Sequence, residues 1–211
     1  MANWDKIYRD YKKGGEAWAT LSEDIHPLFK QFLNKSNFEH KHVLDIGCGT
    51  GKYALFLISK GFTVDGIDSS PTAVQMTKEL LGEKAGKIKE ADMFKSRIPK
   101  GRYDLIISVA TIQHGFKKDV QNLINKIHSA LVVGGKTFIT IPDFESSKKW
   151  NTFKNNKDLG DNTYAPLSGP EKGLPHSFFT KAEVQKLFAE FSDVKIRLDN
   201  IGRWVAQASK R

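Results

Sequence analysis

Hydrophobic positions along this 211-residue chain change period at residue 43. Before it, Trp4, Ile7, Tyr8 and Tyr11 recur at helical spacing. After the Gly14-Gly15 break, Ile25, Leu28, Phe29, Phe32 and Leu33 form a second helical stripe, with Pro27 near its start, where a missing N–H costs little. From residue 43, short apolar runs alternate with helical patterns. The runs predict strands at 43–46, 63–67, 88–90, 103–109 and 136–141; helices are predicted at 52–60, 71–81 and 120–131. Ser70 is placed as an N-cap with Pro71 at the first helical position. Apolar strands separated by helices imply a parallel sheet buried on both faces.

The rhythm breaks over residues 143–179, which are polar and rich in Asn, Gly and Pro. A segment this long is expected to be a functional lid or binding loop. Thr180 and Glu183 then form a capping-box signature for a helix over 181–191, and strands are predicted at 194–198 and 204–208. The expected organisation is a single domain over 1–211: a helical cap to residue 42, a core over 43–142, the lid, and a C-terminal helix with two strands.

Composition narrows the class: 39% hydrophobic and 27% charged residues fit an ordinary globular domain. No apolar run reaches membrane-spanning length, and the start of the chain has no signal-peptide core, so no membrane association and a cytoplasmic location are expected. The single cysteine, Cys48, excludes an intrachain disulfide. The net charge of +9 raises the question of an anionic partner, but 14 basic and 9 acidic residues fall in 43–142, spread along the segment without a long basic run. Residues 1–42 carry seven basic and six acidic groups and 143–179 five of each, so the expected mouth of a site is nearly neutral.

The first strand runs directly into chemistry. VLDIGCGTG, residues 43–51, spaces Gly47, Gly49 and Gly51 as G-x-G-x-G, a turn that lets a ligand approach the backbone. Lys52 stands where the dinucleotide fingerprint needs its third glycine, which argues against a pyrophosphate. Asp45 suits a cationic ligand group. Asp68, at the end of the second strand and followed by Ser69, suits the two hydroxyls of a ribose. An adenosine ligand lacking a pyrophosphate satisfies all three features.

These residues resemble the class I S-adenosylmethionine-dependent methyltransferases. Residues 43–51 are similar to the family's first motif, Asp68 to its ribose-binding acid, Ala91-Asp92-Met93 to its adenine-contacting turn, YDLIISVATIQH (103–114) to the segment beneath the methionine moiety, and LVVGG (131–135) to the approach to the fifth strand. The resemblance implies a Rossmann-like, doubly wound seven-stranded sheet, mostly parallel with the last strand antiparallel. It also implies S-adenosylmethionine as cofactor and S-adenosylhomocysteine as product. Gly47, Cys48 and Gly49 then lie against the methionine part, Asp45 near its ammonium, and Asp68 on the ribose. Asp92 and the Met93 backbone meet the adenine, Val109 and Ala110 line the methionine end, and Gln113 and His114 face the methyl group.

Each of these residues also has a structural reading. Asp92 equally suits the cap of a turn, and Cys48 fits as a small residue in a tight one. Tyr11 and Trp18 suit closure over a ligand or plain packing. His114 fits a base or the end of a strand; His176 fits an acceptor pocket or a fastening for the lid. His26, His40, His42 and His128 lack ligand spacing, and no metal site is expected. A sulfonium methyl is already activated, so positioning and exclusion of water carry most of the reaction.

The near-neutral mouth favours a small-molecule acceptor, and the C-terminal half resembles the tellurite-resistance and thiopurine-type branch. Two other readings stand beside it. Residues 103–114 are also similar to the enzymes that methyl-esterify a carboxymethyl wobble uridine in tRNA, which would make RNA the partner. A non-catalytic cofactor-binding subunit would instead use Trp150, Phe153, Tyr164, Phe178 and Phe179 for docking.

Overall fold

The computed structural model describes residues 4–14 and 24–211. Two helices, α1 (Trp4–Lys12) and α2 (Pro27–Asn34), precede β1 (His42–Ile46), α3 (Lys52–Ser59), β2 (Thr63–Asp68), α4 (Pro71–Leu81) and β3 (Ile88–Glu90). The chain continues through β4 (Tyr103–Ser108), α5 (Lys117–Ala130) and β5 (Leu131–Pro142). After residues 143–179 come α7 (Lys181–Leu187), β9 (Ser192–Leu198) and β10 (Arg203–Ser209).

The main sheet has seven strands in the order β3-β2-β1-β4-β5-β10-β9. The pairs among β1 to β5 are parallel, whereas β10 is antiparallel to both of its neighbours. Side chains alternate across the pleat, so Val43, Leu105 and Ile107 join the layer formed with α2, α3 and α4. Leu44, Ile46 and Ile106 face the opposite layer with α5 and α7. Burial on both faces is what produced the unbroken apolar runs. Phe138, fully buried in β5, meets Phe29 and Phe32 of α2 at ring-centroid distances of 5.0 and 5.7 Å, which seats α2 on the sheet.

Several boundaries differ from the sequence expectation. β5 begins at Leu131 and takes in Gly134-Gly135, because Leu131 pairs with Tyr103 before a register shift and the Gly134 N–H donates to the Lys210 carbonyl. The helix expected over 181–191 stops at Leu187, although its capping box forms as expected.

The segment expected to be a lid loop holds a short helix, α6 (Phe144–Lys149), and a separate three-stranded sheet of β6 (Asn156–Asp158), β7 (Thr163–Pro166) and β8 (His176–Ser177). Its aromatic residues pack on one another: Phe153 stacks on Tyr164 at 4.1 Å and on Phe144 at 5.7 Å and meets Phe178 edge-on at 4.8 Å. Phe179, 1% exposed, belongs to the main core. Four of the five aromatic residues expected in a pocket or docking surface are thus used in packing; Trp150 remains exposed.

Candidate active site

The sheet order reverses between β1 and β4, with β2 on one side and β5 on the other, and ligands of open α/β sheets bind outside the carboxyl ends of the strands at such a point. A cavity of about 920 Å³ lies there, reaching from Asp68 to His114 and Glu171.

The glycine turn closes its floor. Gly47 and Cys48 donate their N–H groups to the Ile67 carbonyl of the neighbouring strand at 2.8 and 3.1 Å. Gly47 has a φ of +75°, and a Cβ there would stand 2.2 Å from the Thr111 side chain. At Gly49 a Cβ would meet the Tyr8 hydroxyl at 2.8 Å. The turn therefore excludes side chains twice over, by backbone conformation and by crowding.

Asp68 accepts from the Gly49 N–H at 3.0 Å through Oδ2 and from the Ser70 N–H at 2.9 Å through Oδ1. Each carboxylate oxygen keeps a second lone pair, enough for the two hydroxyls of a ribose. Burial raises the Asp68 carboxyl, and the backbone donors oppose that rise. Asp45, only 4% exposed, is pushed up to about 7 by burial and by the neighbouring Asp68 charge. A ligand ammonium beside Asp45 relieves both causes, so the residues present fit an amino-acid-bearing nucleoside.

The expected adenine turn folds on itself: the Asp92 Oδ1 accepts from the Phe94 N–H at 2.9 Å, which is the capping role foreseen for it, while Asp92 and Met93 both line the cavity. Val109, Ala110 and Ser69 line it as well. Ala110 adopts a left-handed backbone, φ +56°, and its N–H donates to the Thr140 Oγ1 at 2.8 Å. Strain of this kind at the end of a central strand is found where a chain is shaped for a ligand.

Two expected residues lie elsewhere. Tyr11 is outside the cavity; Ile7 and Tyr8, one turn earlier on α1, and Trp4, two turns earlier, line it. Gly51 N-caps α3 behind the wall, where an added Cβ would meet Thr77 and Leu80. Trp18 lies outside the described residues.

The far end of the cavity brings together residues from three parts of the chain. Gln113 and His114 follow β4, His176 begins β8, and Glu171 precedes it. The Glu171 Oε2 lies 3.1 Å from the His176 Nε2, and its Oε1 lies 3.9 Å from the His114 Nε2. The two imidazoles meet edge-on with centroids 4.7 Å apart, and Trp4 packs against His114 at 4.6 Å. The His176 Nδ1 donates to the Leu174 carbonyl at 3.0 Å. Burial, followed by the proximity of His176, holds His114 far below the ordinary histidine range, at about 3, so its imidazole is neutral at physiological pH. Glu171 is held ionised chiefly by the hydrogen bond from His176, against the opposing effect of burial. The Gln113 Oε1 is buried without a hydrogen-bond partner among the described residues.

Glu171, Trp4 and Tyr8 were missed in the sequence. The helical stripe contained Trp4 and Tyr8 but did not say which turn of α1 covers the cavity, and nothing local marks Glu171.

A doubly wound sheet with an antiparallel seventh strand, a glycine turn, and an acid at the end of β2 define the class I nucleoside-cofactor methyltransferase architecture. The comparisons agree. The methyltransferase domain family matches residues 43–135. Malonyl-[acyl-carrier protein] O-methyltransferase 1 of Ilyobacter polytropus is 28% identical over 143 residues, covering 64% of this chain and 52% of that protein. O-methyltransferase 2 of the same organism and description is 23% identical over 209 residues, covering 89% and 80%. The chain thus spans about half the length of the first relative and most of the second. Among solved structures, an S-adenosylmethionine-dependent methyltransferase of Methanosarcina mazei superposes with a TM-score of 0.69 at 21% identity, covering 89% of this chain and 99% of that one. Residues 43–135 thus carry a methyltransferase domain, and the relatives and the shared fold support a class I S-adenosylmethionine-dependent methyltransferase. Among the described residues no helix is long and apolar enough to cross a membrane.

Proposed function

We propose that the protein transfers the methyl group of S-adenosylmethionine to an oxygen of a small-molecule acceptor. One observation carries the reading: a single cavity joins the glycine turn and Asp68 at one end to His114, Glu171 and Gln113 at the other. The cofactor's ammonium faces Asp45, its ribose faces Asp68, and its adenine lies at Asp92 and Met93. The methyl group then points toward Gln113 and His114.

The acceptor end is chemically suited to a hydroxyl. The neutral His114 imidazole and the ionised Glu171 carboxylate can orient its proton as hydrogen-bond acceptors, and the Gln113 Oε1 has no other partner among the described residues. Attack along the carbon–sulfur axis forms the new C–O bond as the C–S bond breaks; the electron pair goes to sulfur and leaves a neutral thioether. α1, with Trp4 and Tyr8 over the two ends of the cavity, excludes water from that step. Two relatives described as O-methyltransferases support oxygen as the receiving atom.

Labelled S-adenosylmethionine incubated with a cell extract, with and without ribonuclease, tests the reading. Label in low-molecular-weight, ribonuclease-resistant material that is released by ester or ether cleavage is the expected result. Label in a ribonuclease-sensitive fraction would transfer the activity to RNA, and no label in any fraction would leave a cofactor-binding subunit.

A further inference from the structure

We infer that His114, Glu171 and His176 form a binding site for a divalent transition-metal ion, of the zinc type, in the wall of the cavity. One ligand atom from each residue lies within 4.8 Å of the other two. Donors around a tetrahedral ion with bonds of about 2.0 Å stand about 3.3 Å apart. The Glu171 Oε2 and His176 Nε2 already meet that spacing at 3.1 Å; the His114 Nε2 stands 3.9 Å from the other carboxylate oxygen, Oε1, and drawing the three donors in from 4.8 Å takes a closure of up to about 1.5 Å.

The surroundings are those of a metal ligand set. The Leu174 carbonyl accepts from the His176 Nδ1 at 3.0 Å, which turns the Nε2 edge of the ring toward Glu171. The proton that joins this Nε2 to the Glu171 Oε2 across 3.1 Å is the one that an ion shared with His114 would displace. Trp4 packs against the His114 ring and fixes its plane. Two imidazoles and one carboxylate match the donor set of catalytic zinc sites, which keep a fourth position open. All three residues line the cavity; the Gln113 Nε2 lies 3.5 Å from the His114 Nε2, and the Oε1 of the same amide is buried without a partner among the described residues.

The role of the ion rests on the reading of this end of the cavity as the acceptor chamber. A hydroxyl bound at the open position loses its proton to water more readily, and the oxygen is held for attack on the sulfonium methyl. The proposed site therefore selects acceptors that offer an oxygen ligand to a metal.

The test uses the purified full chain. After loading with Zn²⁺ and exhaustive dialysis, one equivalent of zinc is expected by elemental analysis, and Co²⁺ loading is expected to give visible ligand-field bands. His176→Ala and Glu171→Gln should each weaken Co²⁺ binding by at least about tenfold, the range that loss of even an outer-shell partner costs. His40→Ala, at an exposed position, should not. Thermal melts by circular dichroism verify folding. If the variants fail to fold, proton NMR of the Co²⁺-loaded wild type decides, because resonances of two imidazoles must be paramagnetically shifted. Absence of retained zinc and of ligand-field bands, bands unaffected by the variants, or unshifted imidazoles would overturn the inference. Calorimetry of S-adenosylmethionine binding on the same samples separates the two readings: metal failure with intact cofactor binding removes only the ion, whereas cofactor failure removes the proposed function.

Discussion

The Asp68 carboxylate accepts from the Gly49 N–H at 3.0 Å, so the acid at the end of β2 also holds the glycine turn that follows β1. The proposed ribose contact and the loop geometry meet in one side chain. Asp68→Ala is expected to abolish measurable S-adenosylmethionine binding in calorimetry. It should also lower stability by about 1–3 kcal/mol, since it strips an acceptor from the buried N–H groups of Gly49 and Ser70. Asp68→Asn, which retains one carbonyl oxygen, should recover part of both losses. Unchanged affinity in the alanine variant would remove the ribose assignment.

Asp45 makes the empty protein sensitive to pH. Its folded carboxyl is raised to about 7 from an ordinary 3.8 by burial and the Asp68 charge. A raised carboxylate contributes stability that is fully present below about pH 4 and is lost as pH rises through 7. The melting temperature without cofactor should carry that falling contribution between pH 5 and 8, and Asp45→Asn should flatten it. Cofactor affinity should move the opposite way, strengthening toward pH 8 as the ionised carboxylate becomes available to the ammonium.

Removing charge at the far end of the cavity should separate turnover from cofactor binding. Glu171→Gln is expected to lower kcat by about a hundredfold or more and to leave the dissociation constant for S-adenosylmethionine within about twofold, because Glu171 lies with His114 and His176 rather than with the glycine turn. Parallel loss of both quantities would place Glu171 in a structural role.

Phe153 holds the 143–179 segment together through its contacts with Tyr164, Phe144 and Phe178. Phe153→Ala should cost about 3 kcal/mol locally and expose residues 150–173 to protease well below the global melting temperature. Turnover should fall while cofactor affinity is retained, since the glycine turn and Asp68 lie on the main sheet.

The sheet was legible because its strands are buried on both faces, and a run such as Leu105–Ile107 is apolar at consecutive positions, with Asp104 and Ser108 beside it buried as well. Strands β6, β7 and β8, of three, four and two residues, are too short for alternation to show, so their segment reads as loop. The same brevity hid Glu171, whose role depends on β8 bringing His176 to the end of β4. The turn around Gly47 was readable because its requirement is local; the contact of Tyr8 with Gly49 joins positions separated by α2 and β1 and leaves no mark in sequence spacing.

Asp5 fastens α1 to the first turn of α4, accepting from the Ser70 hydroxyl at 3.0 Å and the Thr72 N–H at 2.9 Å. Because α1 carries Trp4 against His114 and Tyr8 beside Gly49, the same nine-residue helix covers both ends of the cavity. Asp5→Ala, which removes a latch remote from the cavity, is expected to shorten the residence time of S-adenosylhomocysteine in stopped-flow displacement.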